Sequence, residues 1–350
     1  MESRGEENET ATTTGPRMEP RENAGSEERE DLKVCFCADL HGNVLHYQRL
    51  LQFAFEEENC DALLLGGDLM PKRMSSPAKQ LSYFTDNILP LFLRHKKKPQ
   101  QHLYLILGNA DAITNLDALR ELSSQHGACF QLLHSQVVPL CGSARWRLLG
   151  YSHIPFSPHR RKDWEKADFS EEPFTGFRRR RAEYRLEGCY VSKGEDVQFN
   201  VNIDLAEHCQ QTSIYNDLEA ILRAEEEQRQ NDKDGDIYAN HIWMVHTPPF
   251  DTSLDILKTG EHVGSEALLH FIQQKQPLLT LHGHIHETVS MSNGQFSQRI
   301  GERTLSISVG HEYHRPEVRC ILFHTGKVGE AQRVSLPVNN GNEKRQKKDE

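Results

Sequence analysis

Residues 62–68 read Ala-Leu-Leu-Leu-Gly-Gly-Asp, a short apolar run that ends in two glycines and a carboxylate. A run of this length bounded by glycines is typical of a buried β-strand. The glycines allow a tight turn and a close approach of the backbone to a ligand. The two oxygens of Asp68 can bridge two cations roughly 3.5–4 Å apart. A glycine-rich turn whose aspartate caps the next helix is the alternative interpretation.

Four further apolar runs end in residues that bind metals. They are followed by Asp39-Leu40-His41, Gly108-Asn109-Ala110-Asp111, His246 and Gly283-His284-Ile285-His286. Open α/β sheets bind ligands just beyond the carboxyl ends of their strands. The five endings therefore predict one site at one edge of a sheet. Their mixture of carboxylate, amide and imidazole groups favours a two-metal hydrolytic centre.

Two of these endings place possible ligands two residues apart. In an extended segment, side chains at positions i and i+2 point the same way. Asp39 and His41 are therefore expected to converge on one ion, and His284 and His286, two imidazoles on an extended segment after a glycine, are expected to bind metal. For Asp39 and His41, an ordinary strand end with a capping aspartate and a surface histidine is the alternative.

The remaining single residues are more ambiguous. Asn109 is either a neutral oxygen ligand or a turn residue, and a lone histidine such as His246 is often structural. His282 is expected to lie on a strand, and Glu287 is a candidate for orienting a ligand imidazole.

Strand-like and helix-like segments alternate along the first half of the chain, which predicts βαβ units and a largely parallel sheet. The predicted strands are 32–38, 62–65, 103–107, 241–245 and 278–281, and the predicted helices are 44–55, part of 76–93, 115–122 and 265–273. Segments 297–300, 304–309 and 318–323 are expected to be antiparallel strands that close a second sheet. The predicted architecture is α/β, with two packed mixed sheets flanked by helices.

The ends of the chain are predicted to be disordered. Residues 1–31 contain no aromatic residue, Ile, Leu or Val, and their ten acidic and four basic side chains hold −6 of the formal charge of −10. Such a segment cannot bury enough apolar area to offset its ordering entropy. Residues 339–350 are similar. The predicted domain is 32–338, with a charged insertion at about 155–235.

Bulk properties exclude several classes of protein. No stretch approaches the roughly 20 apolar residues of a membrane span, and the N-terminus lacks the features of a signal peptide. Without the tails the chain is only mildly acidic, which disfavours non-specific nucleic-acid binding. Cysteines such as Cys35 and Cys37 lie in apolar runs without zinc-finger spacing, so reduced thiols and a cytoplasmic location are expected.

The five blocks together resemble the calcineurin-like metallophosphoesterase superfamily. Its pattern is D-x-H, then G-G-D, then G-N with a variable position (often His) and an acidic residue, then a lone His and G-H-x-H. Each block follows a strand, and all five occur here in order between about residues 32 and 310. The later half is similar to the small stand-alone phosphoesterases of that superfamily. Its matching positions are His246-Thr247-Pro248-Pro249, Asp255, His262-Val263-Gly264-Ser265, Gln276-Pro277 and Gly283-His284-Ile285-His286-Glu287.

The resemblance implies a fold, a ligand set and a reaction. The fold would be a four-layer αββα sandwich. One metal would be held by Asp39, His41, Asp68 and His286, and the other by Asp68, Asn109, His246 and His284. Asp68, Asn109 and His246 would be catalytic, and a hydroxide bridging the ions would attack phosphorus in line.

One position departs from the pattern. Many members have a histidine directly after the asparagine, which is thought to protonate the leaving group, whereas this chain has Ala110. Alanine cannot transfer a proton. Asp111, His153 and His311 are candidate substitutes. Because some relatives without that histidine cleave phosphodiesters, the departure favours a phosphodiesterase.

The expected activity is therefore a metal-dependent phosphodiesterase with manganese, iron or zinc and a small phosphoester or nucleotide-like substrate. A non-catalytic scaffold that binds a protein partner and a nucleotide or pyrophosphate hydrolase are the alternatives. The basic run Arg178–Arg181, with Arg160, Arg161 and Lys162 upstream, is either a phosphate contact or a solvated face of the insertion.

Overall fold

The computed structural model describes residues 31–127, 129–170, 188–199, 212–229 and 236–338. The predicted tails, apart from Asp31, and the run Arg178–Arg181 lie outside these residues. The described strands are β1 (Lys33–Cys37), β2 (Ala62–Gly66), β3 (His102–Ile106), β4 (Gln131–Leu132), β5 (Gln136–Pro139), β6 (Arg147–Tyr151), β7 (Ile154–Pro155), β8 (Glu165–Lys166), β9 (Tyr190–Lys193), β10 (Asp196–Phe199), β11 (His241–Val245), β12 (Leu279–His282), β13 (Ser297–Ile300), β14 (Thr304–Ser308), β15 (Glu317–His324) and β16 (Gln332–Pro337).

Helices connect most of the parallel strands. They are α1 (Val44–Gln52), α2 (Pro77–Tyr83), α3 (Leu89–His95), α4 (Leu116–Gln125), α5 (Ile214–Gln228), α6 (Glu266–Lys275) and α7 (Thr288–Met291). A π-helical turn (Phe53–Glu57) extends α1, and another (Phe84–Ile88) joins α2 to α3. Side-chain oxygens of Asn43, Ser76, Ser213 and Ser265 cap the N-termini of α1, α2, α5 and α6.

Two mixed six-stranded sheets form the centre of the fold. The first has the order β16-β15-β1-β2-β3-β4, and the second has the order β13-β14-β12-β11-β6-β5. Within the first sheet, β1 to β4 run parallel, and within the second, β6, β11, β12 and β14 run parallel. The carboxyl ends of each parallel set therefore lie at one edge of its sheet.

Alternating strand residues separate three apolar layers. In β1, Cys35 and Cys37 pack beneath the helices α1 to α4, whereas Val34 and Phe36 face the second sheet. In β11, Ile242 and Met244 complete the layer between the sheets. On the far face, Trp243 packs against residues of α5 and α6. This order of helices, sheet, sheet and helices confirms the predicted αββα sandwich.

The prediction for the last strands was wrong in one respect. Strands β13 and β14 do close the second sheet, but β15 pairs antiparallel with β1 in the first sheet. An additional strand, β16, then pairs with β15 at the edge. The side-chain pattern alone does not distinguish these placements, because Val318, Cys320 and Ile321 are buried apolar residues that suit either sheet.

The region of the predicted insertion contributes to the core where it is described. Helix α5 buries Ile214, Leu218 and Leu222 against the second sheet. Arg161 and Lys162 are also buried, and they pair with Asp163 and Glu165. Among the described residues, no helix is both long and apolar enough to cross a membrane.

Candidate metal centre

The seven sequence-predicted ligands lie at the adjoining carboxyl-end edges of the two sheets. Strands β1, β2 and β3 are followed by Asp39 and His41, by Asp68 and by Asn109, and strands β11 and β12 are followed by His246 and by His284 and His286. Residues from distant parts of the sequence are therefore brought to one place, as the ends of parallel strands allow.

Four of these residues form a compact group, called here the first group: Asp39, His41, Asp68 and His286. Their possible ligand atoms all lie within 4.8 Å of one another. The Nε2 atom of His41 lies 3.1 Å from Nε2 of His286 and 3.5 Å from Oδ2 of Asp68. The Nε2 atom of His286 lies 3.6 Å from Oδ1 of Asp39. Carboxylate and imidazole ligands of this kind suit a divalent transition metal.

The polar atoms of the first group fit a bound cation. Asp39 is almost fully buried, and its Oδ2 atom has no hydrogen-bond partner among the described residues. Burial alone would raise the pKa of this carboxyl, but its interactions with His286, His246 and His41 together outweigh burial and hold the pKa well below its usual range. Burial lowers the pKa of His41 to about 4, so its imidazole is neutral at pH 7 and has a lone pair for a metal.

A second group comprises Asp68, Asn109, His246 and His284, and Asn109 lies between its two histidines. The Oδ1 atom of Asn109 lies 2.8 Å from Nδ1 of His284 and 3.1 Å from Nε2 of His246. The Nε2 atom of His246 also lies 3.5 Å from Oδ1 of Asp68. Asp68 therefore faces both groups, with Oδ2 toward the first and Oδ1 toward the second.

The tautomer of His246 explains what its Nε2 atom can bind. Its Nδ1 atom donates a hydrogen bond to the carbonyl oxygen of Gly66 over 2.8 Å. In the neutral imidazole, Nε2 is then an acceptor. Two acceptors, this nitrogen and the Asn109 oxygen, face each other, and a cation between them would bind both lone pairs.

Backbone conformation corrects the expectation that the segments after the strands are extended, although Asp39 and His41 do converge in the first group. Asp39, His41, Asp68 and His284 all have positive φ angles, of 59°, 45°, 52° and 66°. The segments after the strands are therefore tight turns rather than extended chain. His284 turns toward Asn109, whereas His286 turns toward the first group. Left-handed residues other than glycine cost of order 1–3 kcal/mol each and cluster at functional sites.

Two glycines leave room for this arrangement. A Cβ atom on Gly67, which has a φ of 97°, would lie 2.7 Å from Nδ1 of His246. A Cβ atom on Gly108 would lie 2.4 Å from Oδ1 of Asp68 and 2.7 Å from Cε1 of His246. The glycines of the quoted motifs are therefore needed because the loops approach one another closely.

Asp111 fixes the loops that follow β2 and β3. Its carboxylate accepts hydrogen bonds from the backbone N–H groups of Leu69, Met70 and Gly108, at 2.8–3.1 Å. Burial and the charge of Asp68 raise the pKa of Asp111 to about 7. Ala110 donates its own N–H to Oδ1 of Asp68 over 2.7 Å, so its backbone helps to orient that carboxylate.

The other two candidate proton donors have different surroundings. The ring nitrogens of His311 lie 3.2 Å from Nδ1 of His46 and 3.4 Å from the backbone nitrogen of Arg319, so both are engaged. The ring of His153 packs against Trp164 and Tyr151, with ring centroids 5.1 Å and 5.3 Å away.

Sequence reasoning left two minor residues undecided. His282 lies at the end of β12, where its ring nitrogens contact the carbonyl oxygen of Val245 and the hydroxyl of Thr280. It is therefore a structural histidine. Glu287 directly precedes the short helix α7.

Three residues near the centre were not predicted from the sequence. The ring of His159 lies edge-on to His284, with centroids 5.9 Å apart, and burial lowers the pKa of His159 to about 4. The ring of Tyr313 lies edge-on to His41 at 4.5 Å. Lys72 is exposed, and its charge lowers the pKa of both His41 and His159. None of the three belongs to a strand-ending motif, so no local pattern marks them.

A family model described as calcineurin-like phosphoesterase matches residues 32–288, which is most of the chain. The chain belongs to the calcineurin-like phosphoesterase family. Members of this family typically bind two divalent metal ions, and the family is generally hydrolytic. The first group is a candidate for one such site. No curated protein matches the sequence.

Two solved structures are similar to this chain. The protein TT1561 of Thermus thermophilus has 14% sequence identity and a TM-score of 0.51, and the alignment covers 88% of this chain and 100% of that chain. A dimetal phosphatase from Danio rerio has 10% identity and a TM-score of 0.45, covering 88% of this chain and 99% of that chain. The second likeness is too low to support a conclusion about this chain.

Proposed function

We propose that this chain is a dinuclear metal-dependent phosphoesterase that hydrolyses small phosphodiesters. The observation that carries the proposal is the convergence of the first group, in which the buried Oδ2 atom of Asp39 has no hydrogen-bond partner among the described residues. An unpaired buried carboxylate oxygen is costly, and a bound cation offsets that cost. Family membership supports the same class of reaction.

In this proposal each group holds one ion. The first ion would be held by Asp39, His41, Asp68 and His286, and the second ion would be held by Asp68, Asn109, His246 and His284. The two oxygens of Asp68, each 3.5 Å from a histidine nitrogen of one group, suit a bridging role. Mixed oxygen and nitrogen ligands suit manganese, which we propose as the metal, with iron or zinc as substitutes.

Bound divalent ions would lower the pKa of a coordinated water and neutralise phosphoryl oxygens. The chain's own residues orient this chemistry. The backbone N–H of Ala110 and the loop fixed by Asp111 hold Asp68 in place. The hydrogen bond to Gly66 fixes the tautomer of His246. Because Asp39 and Asp68 are the only carboxylates in the two groups, two divalent ions would leave a net positive charge that attracts a phosphate anion.

The alanine side chain at position 110 limits which leaving groups can depart. Ala110 offers no proton, so the proposed substrates are diesters whose leaving oxygen is stable as an anion, such as aryl or nucleotide esters. A nucleotide or pyrophosphate hydrolase is the second candidate, because its leaving group is also stable as an anion.

A rate comparison tests the proposed activity. Purified protein with added Mn²⁺ is expected to cleave bis(4-nitrophenyl) phosphate faster than 4-nitrophenyl phosphate, and chelation is expected to abolish both reactions. Nucleoside triphosphates and diphosphates are assayed in parallel. Faster cleavage of these would favour the second candidate, and no Mn²⁺-dependent cleavage of any of them would refute both.

We also propose a reducing, cytoplasmic location. The cysteines in the described part of the chain are free thiols, and all but Cys141 are buried. Treatment of the unfolded protein from cell extract with a thiol reagent is expected to label every cysteine, and protected pairs would contradict this location.

A further inference from the structure

His159 lies beside the metal centre but outside both ligand groups. Its ring stands edge-on to that of His284, at a centroid distance of 5.9 Å and an interplanar angle of 77°. The side chain is half-buried. Within the described part of the chain, neither ring nitrogen of His159 has a hydrogen-bond partner. The hydrogen bond from His159 to Ser157 is donated by the backbone N–H of His159. A donor beside the centre is therefore available to a ligand.

A buried network fixes the loop that carries His159. The carboxylate of Glu165 accepts hydrogen bonds from the backbone N–H and the hydroxyl of Ser157, at 3.0 Å and 2.6 Å. Lys162 donates to Glu165 over 2.8 Å and to the carbonyl oxygen of Ser157 over 2.7 Å. Both Lys162 and Glu165 are buried. A loop closed by this many buried polar contacts holds one conformation, and His159 lies between the two ends of the network.

The same loop is attached to the segment that carries Lys72. Arg161 is buried, and its Nη2 atom donates to the carbonyl oxygen of Ser75 over 2.8 Å. Its Nη1 atom pairs with Asp163 at 2.9 Å. At its other end this segment packs beside His41, because a Cβ atom added to Gly42 would lie 2.5 Å from Cγ of Pro71. Lys72 therefore belongs to a segment that runs from the first group to the loop of His159, and its charge lowers the pKa of both His41 and His159. Among the described residues, Lys72 forms no ion pair.

We propose that His159 and Lys72 form a phosphate-binding subsite beside the metal centre, in which the imidazole donates a hydrogen bond and the ammonium group supplies charge. The ligand class is the phosphoryl group of a phosphoester or free phosphate. An imidazole has at least one N–H donor in either charge state, and a lysine ammonium is a strong point charge for phosphate. The inference rests on the proposed function, because the metal centre would bind the same phosphoryl group.

Phosphate binding by the intact protein tests the subsite without turnover. The Mn²⁺-loaded protein is titrated with inorganic phosphate in a calorimeter, and the manganese content of every variant is measured by elemental analysis. His159→Ala is expected to weaken phosphate binding at least about tenfold, the usual effect of losing one hydrogen bond to a charged group. Lys72→Ala is expected to weaken it as well, and neither variant is expected to lose manganese.

Two further variants separate hydrogen bonding from packing. His159→Gln keeps an N–H donor and is expected to recover most of the affinity. His270→Ala removes an exposed histidine of α6 and is expected to bind phosphate as the wild type does.

Several results would overturn the subsite. They are wild-type protein that binds no phosphate, His159→Ala protein with unchanged affinity, and His159→Ala protein that loses phosphate and manganese together. The last result would mean that His159 only supports His284. The proposed function fails separately, if the protein binds phosphate but cleaves no phosphoester.

Discussion

The Nε2 atoms of His41 and His286 lie 3.1 Å apart, although the two residues are 245 positions apart in the sequence. Strands β1 and β12 belong to different sheets, so this contact joins the two sheets at their shared edge. Two imidazole nitrogens at this distance either share a proton or bind the same cation. The nearby carboxylates of Asp39 and Asp68 favour the cation.

Replacing Asp68 is expected to damage both metal groups at once, because its two oxygens face different histidines. Loss of a residue that only supports a metal ligand usually costs 10–100-fold in activity or metal affinity. Asp68→Asn is therefore expected to lower the Mn²⁺-dependent kcat/KM by more than about 100-fold. Asp86→Asn alters an exposed carboxylate in the turn between α2 and α3 and is the matched control. Equal rates for the two variants would place the reaction elsewhere.

A methyl group at Gly108 is expected to displace the centre. The added Cβ would lie 2.4 Å from both the backbone nitrogen and Oδ1 of Asp68, too close for either atom to remain in place. Gly108→Ala should reduce manganese affinity by more than about tenfold and lower the melting temperature. Gly329→Ala is the control, because no atom lies within 4 Å of its added Cβ. Manganese affinity that is the same in both variants would show that the loops are not closely packed.

Asp255 is expected to be essential for stability rather than for chemistry. Its fully buried carboxylate accepts hydrogen bonds from the backbone N–H groups of Asp251, Thr252 and Gly264, and it pairs with His262 at 2.6 Å. Asp255→Ala leaves these donors without their acceptor, so the free energy of unfolding should fall by about 2–5 kcal/mol in urea titrations.

Asp251→Asn is the control for this prediction, because Asp251 is exposed and asparagine also tolerates its positive φ of 55°. It should unfold at the wild-type urea concentration. An Asp255→Ala protein as stable as this control would show that the loop does not depend on the buried carboxylate.

Acid is expected to destabilise the metal-free protein through its buried histidines. Burial lowers the pKa of His134 to about 4, and the same holds for His282. The unfolded value is near 6.5, so between pH 6.5 and about 4 the unfolded state binds more protons than the folded state. The free energy of unfolding should therefore fall as the pH falls through this window.

His134→Gln removes one of these groups. Urea titrations from pH 7 to 4 should give a shallower pH dependence for this variant than for the wild type, even if it is less stable at pH 7. Identical slopes for the variant and the wild type would mean that His134 does not titrate differently on folding.

The sequence alone was enough to predict the layers and the assembly of the centre. Apolar runs such as Leu63–Leu65 mark buried strands, and parallel strands carry the residues after them to one edge. The order of the five short motifs therefore predicted that Asp39, Asp68 and His286 lie close together, although each motif was ambiguous by itself.

The conformation of the loops was not predictable in the same way. His284 and His286 were expected to point in one direction, but a φ of 66° at His284 turns it toward Asn109. Such left-handed residues are held by tertiary contacts, and here the backbone N–H of His284 donates to Oδ1 of Asp39 over 3.1 Å. A pattern of neighbouring residues does not contain that contact.

The pairing of strands that are distant in the sequence was not predictable from the sequence either. Strand β15 was expected in the second sheet and lies in the first, because its pairing with β1 depends on partners almost 290 residues away. His159 reaches His284 through a loop fixed by Glu165, and neither residue belongs to a recognisable motif.

Metal stoichiometry tests the central claim most directly. Metal-free protein is titrated with Mn²⁺, and bound manganese per chain is counted by elemental analysis after removal of free ions. The two groups joined by Asp68 predict two manganese ions per wild-type chain, and the Asp68→Asn variant should hold fewer. A wild-type chain that binds no manganese, iron or zinc would contradict the account.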